Sequence, residues 1–223
     1  MKISFSIKIS FFILTLVFMA SGLVAISVGA YFWATPYARR RVVVTEDILI
    51  AGLAMGMAAI FSSFVGFHGF RYPVRNKKSL VLYGWLVVLV LVTELALGAV
   101  IWFRSLSIRD SFSDKWRSWD PALRGLFQET DGCCGYYDNT DFPADSISCR
   151  YQNYGWPGCV DMIYIYSDNY LRNIYTVLFG FVVVDIFAFF GSVILIQASN
   201  NQERYVKVDA QTSKSFSSGN SVA

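Results

Sequence analysis

The sequence is short of the side chains on which soluble enzymes depend. It contains one histidine, His68, and only 16% charged residues, whereas a typical soluble domain is about a quarter charged. A single histidine excludes chemistry built on paired histidines within one chain. We find no set of nucleophile, base and oxyanion donors, no phosphate loop and no metal-ligand spacing. We therefore predict no catalytic residues, no metal, no cofactor and no enzymatic activity.

Charge is also too low and too scattered for a nucleic-acid partner. The net charge is only +3, and the basic residues form short groups without an aromatic-interleaved basic face. Apolar residues, by contrast, make up 55% of the chain and gather into four long runs. A helix needs about 20 apolar residues to cross a membrane, and its backbone satisfies its own hydrogen bonds in lipid. We therefore predict an all-α membrane protein whose four transmembrane helices cover residues 9–33, 48–70, 80–103 and 174–197. The first run is longer than the core of a signal peptide, so we expect it to be retained.

Cysteine is confined to one segment. All four cysteines lie within residues 104–173, between the third and fourth spans: Cys133, Cys134, Cys149 and Cys159. An even number of cysteines in one small polar segment is typical of a stapled domain in an oxidising compartment. This predicts that residues 104–173 form a large extracellular loop.

The orientation of the other segments follows from that assignment. The small loop 34–47 is then extracellular, and three segments are cytoplasmic: residues 1–8, 71–79 and 198–223. Four basic residues in 71–79 agree with the positive-inside rule. Arg39, Arg40 and Arg41 in the small loop do not agree with it, so charge alone leaves the topology ambiguous.

Cys133 and Cys134 are adjacent in the sequence. Neighbouring cysteines rarely bond each other, because the small ring strains the intervening peptide. We therefore expect each to bond one of Cys149 and Cys159, which leaves two connectivities open. Each closed loop contributes roughly 3 kcal/mol in the entropy model, a large share of the stability of a small domain with little core.

Several features together resemble the tetraspanin family. They are four spans, a short first and a long second outer loop, the CCG sequence of residues 133–135, and Gly158-Cys159 shortly before the last span. The resemblance covers essentially the whole chain and includes a glutamate-bearing stretch, residues 93–98, in the third span. It implies a disulfide-stapled, mainly helical large loop in which Cys133 pairs with Cys159 and Cys134 with Cys149. Two disulfides are typical of simpler members, a type that occurs in fungi. Family members commonly carry membrane-proximal cytoplasmic cysteines for palmitoylation, and this sequence has none.

The large loop is predicted to contain helices with an irregular head between them. Leu106, Phe112, Trp116 and Trp119 recur at near-helical spacing and continue the third span outward. Asp120-Pro121 is a helix-start signal. Residues 136–158, which we call the head, lack periodicity. Aromatic residues dominate interface hot spots, so six of them are candidate partner contacts: Tyr136, Tyr137, Phe142, Tyr151, Tyr154 and Trp156. The alternative is that these rings cover the two disulfides.

Small residues recur at helical spacing in the first two spans. A GxxxG motif is among them, and such seams allow close helix packing in membranes. The helix-packing candidates are Gly22, Gly29, Gly52, Gly56, Ala59, Ser63 and Gly66. We predict that spans one and two pack against each other, with homo-oligomerisation as the alternative use of the motif.

Two acidic residues lie within the predicted spans, Glu94 in the third and Asp185 in the fourth. Intramembrane acids mark functional sites by default, although no basic residue accompanies them in any span. We interpret them as structural or conformational, with lipid or sterol recognition and ion transport as alternatives.

The tail, residues 198–223, is polar and predicted to be disordered. Tyr205 and Val208 fit the Tyr-x-x-apolar pattern of endocytic sorting motifs. The resemblance implies a scaffold that organises other integral membrane proteins into microdomains, supporting trafficking, adhesion, signalling or polarised growth. The expected location is the plasma membrane or an endosomal or vacuolar membrane. The alternative function is a small ion or proton channel or transporter that uses Glu94 and Asp185.

Overall fold

The computed structural model describes residues 4–35, 37–150 and 155–219. Within these residues the chain forms helices and no strands: α1 (Phe5–Ala34), α2 (Ala38–Val43), α3 (Glu46–Arg71), α4 (Lys77–Leu106), α5 (Ile108–Ser118), α6 (Pro121–Asp131), α7 (Ile147–Arg150) and α8 (Val160–Gly219). Four of them, α1, α3, α4 and α8, are long and apolar enough to cross a membrane. The predicted all-α, four-span fold is confirmed.

The chain forms two compact units. The first comprises Met1–Val28, Gly52–Glu94 and Gly180–Ala223, and the second comprises Gly29–Ala51 and Leu95–Phe179. The four long helices contribute to both units. The second unit contains all four cysteines, together with the short loop between α1 and α3 and the long loop between α4 and α8.

Glycine allows α1 and α3 to approach closely in the first unit. A Cβ atom on Gly22 would lie 2.9 Å from the Gly56 carbonyl oxygen and 3.0 Å from Ala59 Cβ, and a Cβ atom on Gly56 would lie 2.8 Å from Ile26 Cγ1. These distances are shorter than a Cβ atom can make without a shift of its neighbours, so the contact depends on glycine at both positions. Gly22 and Gly56 therefore lie in a close contact between two helices of the same chain.

The remaining seam residues differ from one another. Gly66 packs against the Tyr83 ring, where an added Cβ would lie 3.0 Å away. Ser63 is fully buried, and its hydroxyl donates to the Ala59 carbonyl at 2.8 Å. Gly52 faces open space, since nothing lies within 4 Å of an added Cβ. Gly29 belongs to the second unit.

The second unit has a core of aromatic and aliphatic side chains from the short and long loops. α4 ends at Leu106, and α5 begins after Ser107, which has a non-helical backbone. The third span therefore does not continue as one helix through Trp119, and that prediction is wrong. It allows Ile108, Phe112 and Trp116, spaced by four residues, to face the core, whereas Leu106 is 67% exposed.

α6 begins and ends as its sequence signals predict. The Asp120 side chain accepts a hydrogen bond from Ala122 N at 3.0 Å, and Pro121 occupies the first helical position. Both features stabilise a helix start. The helix ends at Gly132, whose φ of 63° is left-handed, a conformation that glycine adopts without steric cost. The CCG sequence therefore follows directly from a helix terminus.

α8 continues well beyond the predicted fourth span. It extends from Val160 to Gly219, so the prediction of a disordered tail is wrong over residues 198–219. The segment 198–218 contains no proline or glycine, and Lys207 pairs with Glu203 one helical turn away at 2.8 Å. Polar composition alone does not break a helix when such local pairs are present.

The glycine contact between α1 and α3 gives a matched pair of substitutions. We expect Gly56→Ala to lower stability by about 1–3 kcal/mol, because its Cβ would meet a backbone oxygen that cannot rotate away. Gly52→Ala adds the same methyl group to the same helix in open space, and should leave stability unchanged or slightly higher. Thermal unfolding in detergent measures both. Equal melting temperatures for the two variants would contradict the packing.

Candidate functional site

Two disulfides define the base of the head in the second unit. Cys133 bonds Cys159 and Cys134 bonds Cys149, across 26 and 15 residues. This is the pairing that the family resemblance implies. All four cysteines are buried. Because adjacent residues carry the two bonds, two distant parts of the loop are attached to one turn.

Backbone hydrogen bonds hold the same segments together. Cys134 N donates to the Pro157 carbonyl at 3.1 Å, and Cys159 N donates to the Gly135 carbonyl at 3.0 Å. A third bond joins Val160 N to the Tyr136 carbonyl at 3.0 Å. The CCG turn and residues 157–160 are therefore paired by main-chain bonds as well as by the Cys133–Cys159 disulfide.

Two glycines make this pairing possible. Gly135 has a left-handed φ of 68°, and a Cβ there would overlap the Asp138 carbonyl oxygen. A Cβ on Gly158 would overlap the Tyr137 carbonyl oxygen. A side chain at Gly158 would force the two segments apart, and a side chain at Gly135 would disrupt the turn that follows the CCG sequence.

A buried glutamine organises the second disulfide. Gln128 is fully buried in α6, and its Nε2 donates to Cys149 Sγ at 3.0 Å. Its Oε1 accepts from Ala144 N at 3.1 Å and from Ser146 Oγ at 3.3 Å. The Gln128 side chain thus supplies hydrogen-bond partners to the irregular segment before α7, which has no regular secondary structure to provide them. The sequence analysis missed this residue, since nothing in the local pattern of α6 marks it as buried.

Tyr136 is a core residue and not an exposed contact. It is 1% exposed, its hydroxyl donates to the Arg109 carbonyl at 2.6 Å, and its ring packs on Trp116 at 5.8 Å. Burial raises the pKa of the Tyr136 phenol above its usual range, which keeps the hydroxyl protonated as a donor. For this ring, the alternative that aromatics cover the disulfides describes the structure.

Three of the predicted contact rings are exposed. Tyr137, Phe142 and Trp156 expose 51%, 50% and 40% of their surface. Tyr151 and Tyr154 lie outside the described residues. Two aliphatic side chains that the sequence analysis did not consider, Leu126 and Ile147, are also exposed.

Phe142 combines exposure with an unfavourable backbone. Its φ is +49°, a left-handed value that is rare for a bulky side chain and costs of order 1 kcal/mol or more. Its carbonyl accepts two hydrogen bonds, from Trp116 Nε1 and from Arg124 Nη1, both at 3.1 Å. The Arg117 guanidinium lies 5.3 Å from the ring centroid. The fold therefore holds this ring at the surface against a conformational cost.

Shallow grooves flank Asp145 beside α6 and α7. One, about 350 Å³, is lined by α6 residues including Leu126, and another of about 350 Å³ is lined by the segment 143–150. Asp145 forms a bidentate ion pair with Arg150, with both distances 2.9 Å. The hydrogen bonds and charge of Arg150 lower the pKa of Asp145. The surface around these two grooves therefore carries charge of both signs next to apolar side chains.

Arg39 joins the short loop to the long loop within the second unit. Its guanidinium donates to both carboxylate oxygens of Asp131, at 2.8 and 2.6 Å, and lies 4.8 Å from the Phe127 ring centroid and 4.7 Å from that of Tyr166. Both charged side chains are less than one-fifth exposed. A guanidinium is planar, so it can pair with a carboxylate at its edge while aromatic rings stack on its faces. The ammonium group of lysine cannot do both.

Arg40 is also satisfied internally. It is 7% exposed, and its guanidinium donates to the carbonyls of Phe32 and Thr35 near the end of α1. Cations stabilise helix carboxyl termini. Arg39 and Arg40 are therefore structural, although in the sequence they oppose the positive-inside rule.

The structure brings Glu94 and Asp185 together in the first unit. Each carboxyl lies within electrostatic range of the other, and both are buried, at 7% and 1% exposure. Neither oxygen of Asp185 has a hydrogen-bond partner among the described residues, and the same is true of Glu94 Oε2. Tyr83, which is fully buried, also lies within electrostatic range of Asp185.

The candidate sorting residues lie on α8. Tyr205 and Val208 are three positions apart in this helix, and both are more than half exposed. Across the described residues, no group of three or more histidine, cysteine or acidic side chains is placed to hold a metal ion.

Comparison with protein-family models matches residues 7–198 to the Tetraspanin family. The match covers all of α3 and α4, most of α1, the apolar part of α8 and the whole disulfide-stapled loop. A search of curated proteins returns no match.

Replacing Arg39 by lysine tests the connection between the two loops. Arg39→Lys keeps the charge but removes the planar guanidinium that stacks on the Phe127 and Tyr166 rings, so we expect a loss of about 1–3 kcal/mol. Arg150→Lys is the matched control, because Arg150 also pairs with an aspartate but is exposed, and exposed pairs contribute about 0–1 kcal/mol. Thermal unfolding of the oxidised protein in detergent measures both changes. Equal effects would contradict a structural role for Arg39.

Proposed function

Because the chain belongs to the tetraspanin family, we propose that it is a scaffold that gathers specific partner membrane proteins. The partners are other integral membrane proteins, bound laterally through the spans and through the long loop. Their organisation into microdomains serves trafficking, adhesion, signalling or polarised growth. The family and the four spans support the general role of a multi-pass membrane scaffold.

We place both termini in the cytoplasm and the two outer loops outside. The disulfides support this orientation, because they persist in oxidising compartments. The internal use of Arg39 and Arg40 supports it too, since these two cations are engaged in the fold and are weak evidence for a cytoplasmic short loop. Plasma membrane and endosomal or vacuolar membranes are the compartments that fit.

The observation that carries the proposal is the presentation of Phe142. Phe142 keeps a left-handed φ of +49° although half of its surface is exposed. Strained, exposed residues are concentrated at functional sites, and aromatic anchors dominate binding energy at interfaces. Tyr137, Trp156, Leu126 and Ile147 add further exposed apolar side chains around the long loop.

Substituting Phe142 separates binding from folding. Phe142→Gly removes the ring and relieves the unfavourable φ, so we expect unchanged or slightly higher thermal stability. We expect recovery of the principal membrane partner from mild detergent to fall about tenfold or more, as for loss of a hot-spot residue. Quantitative mass spectrometry of the affinity-purified full-length protein measures the recovery.

Met162→Ala provides the control for that experiment. Met162 is 41% exposed on α8 and lies outside the head, so its truncation should leave partner recovery unchanged. Undiminished recovery with Phe142→Gly, at normal surface expression, would rule out the head as the contact surface.

A second candidate function is proton or cation transport. The specific observation in its favour is the buried pair of Glu94 and Asp185, whose unpartnered oxygens are costly to keep in a lipid environment. Two features favour a structural role instead: among the described residues no basic side chain acts on either acid, and a neighbouring group within range of Asp185 is the neutral phenol of Tyr83.

Flux measurements decide between these functions. In purified proteoliposomes we expect proton and sodium fluxes for the wild type to equal those for Glu94→Gln, because a structural carboxyl needs no charge change during function. A flux in the wild type that Glu94→Gln abolishes would establish transport. Empty liposomes give the background leak, and non-reducing electrophoresis with size-exclusion chromatography verifies that both proteins are folded.

A further inference from the structure

A basic groove lies where the loop between α3 and α4 meets α8 in the first unit. Its volume is about 720 Å³, and its lining comprises Arg75, Asn76, Lys77, Lys78, Ser79, Val81 and Glu203. That volume is in the range of small-molecule sites, roughly 300–1,000 Å³. Three of the lining side chains are cationic and one is anionic.

The loop that forms the groove is fixed to the helices on both sides of it. The Ser199 hydroxyl of α8 donates to the Pro73 carbonyl at 2.8 Å. The Asn76 side-chain amide lies 3.4 Å from the His68 carbonyl of α3, and Asn76 N donates to the Tyr72 carbonyl at 2.8 Å. The cationic side chains are therefore carried on an ordered backbone, which lowers the cost of ordering them around a ligand.

The positive charge of the groove is only partly balanced. Glu203 lies 3.7 Å from Lys77 and 2.8 Å from Lys207, so one carboxylate serves two lysines. Arg75 and Lys78 form no ion pair within the part of the chain that the structure describes, and both are exposed. The groove keeps at least two uncompensated cations.

The start of α4 adds to this potential. α4 begins at Lys77 and is 30 residues long, and Ser79 N and Leu80 N both donate to the Asn76 carbonyl. The amides of Lys77 and Lys78 precede the first helical bonds, where backbone N–H groups and the helix dipole favour an anion. The lining of the groove therefore includes both cationic side chains and the first residues of a long helix.

We propose that this groove binds a phosphate monoester on the headgroup of an anionic membrane lipid. The loop connects two spans, so the groove opens at the level of lipid headgroups, on the side that we assign to the cytoplasm. Basic clusters directly beside a span are typical recognition sites for such lipids. A phosphate monoester accepts several hydrogen bonds from arginine, lysine and backbone amides at once, whereas a carboxylate or a zwitterionic headgroup uses fewer of the donors present here.

Native mass spectrometry of the purified full-length protein tests the proposal. The protein is titrated with phosphatidylinositol 4-phosphate, phosphatidylserine, phosphatidylcholine and inorganic phosphate. We expect one phosphatidylinositol 4-phosphate per chain, bound more tightly than the other three. Arg75→Gln with Lys78→Gln should weaken this binding about tenfold or more, since each cation near a headgroup contributes substantially to the attraction.

Two further variants make the test specific. Glu203→Gln should tighten binding, because it removes the acid that competes for Lys77. Arg104→Gln with Lys115→Gln removes the same charge near the opposite end of α4 and in α5, and should leave the affinity unchanged. Because these measurements use the isolated chain, they do not depend on which proteins the long loop recruits.

Several results would overturn the proposal. Equal weakening by both double variants would mean diffuse attraction and no defined site. Equal affinity for phosphatidylserine would mean that surface charge alone is recognised. Inorganic phosphate that binds as tightly as the lipid would identify a soluble anion as the ligand.

Discussion

The close approach of two backbone segments at the CCG turn is the constraint on which the long loop depends. Residues 134–136 exchange main-chain hydrogen bonds with residues 157–160, at a separation that excludes a side chain on Gly158. Because Cys133 and Cys134 are adjacent, both disulfides start at this turn. The Cys133 bond fixes the start of α8, and the Cys134 bond fixes α7 beside α6. Residues between these attachments then need little regular structure of their own.

This attachment also explains which aromatic residues are buried. Tyr136 and Tyr137 are adjacent, but only Tyr136 has its main chain paired with residue 160 and its ring directed onto Trp116. Its hydroxyl reaches the Arg109 carbonyl in α5, which ties the turn to the helical core. The Tyr137 ring contacts the Tyr136 ring at a centroid distance of 4.8 Å and stays half exposed. Phe142 is presented differently: two donors bind its carbonyl, and its half-exposed ring contacts the Arg117 guanidinium.

The parts of the fold that were predictable from sequence are those set by local composition. Apolar length gives the four spans, Asp120-Pro121 gives the start of α6, and cysteine confinement gives the stapled loop. The remaining features depend on distant partners. Arg39 finds Asp131 across 92 residues, and no local pattern encodes that contact. The head is too short and irregular for periodicity to separate Tyr136 from Tyr137. The polar composition of residues 198–218 predicts disorder, whereas their lack of proline and glycine is compatible with the helix that the structure shows.

The distribution of satisfied and unsatisfied charge links these features to function. In the second unit, Arg39 and Arg40 are bound by a carboxylate, rings and helix-terminal carbonyls, so their charge contributes to folding. In the first unit, Arg75 and Lys78 have no such partners among the residues that the structure describes, and the buried carboxyls of Glu94 and Asp185 keep oxygens without a hydrogen bond there. Groups of the first kind are costly to remove but have little left to offer a ligand. Groups of the second kind are where a lipid headgroup or a proton gains the most by binding, because the protein has not already satisfied them.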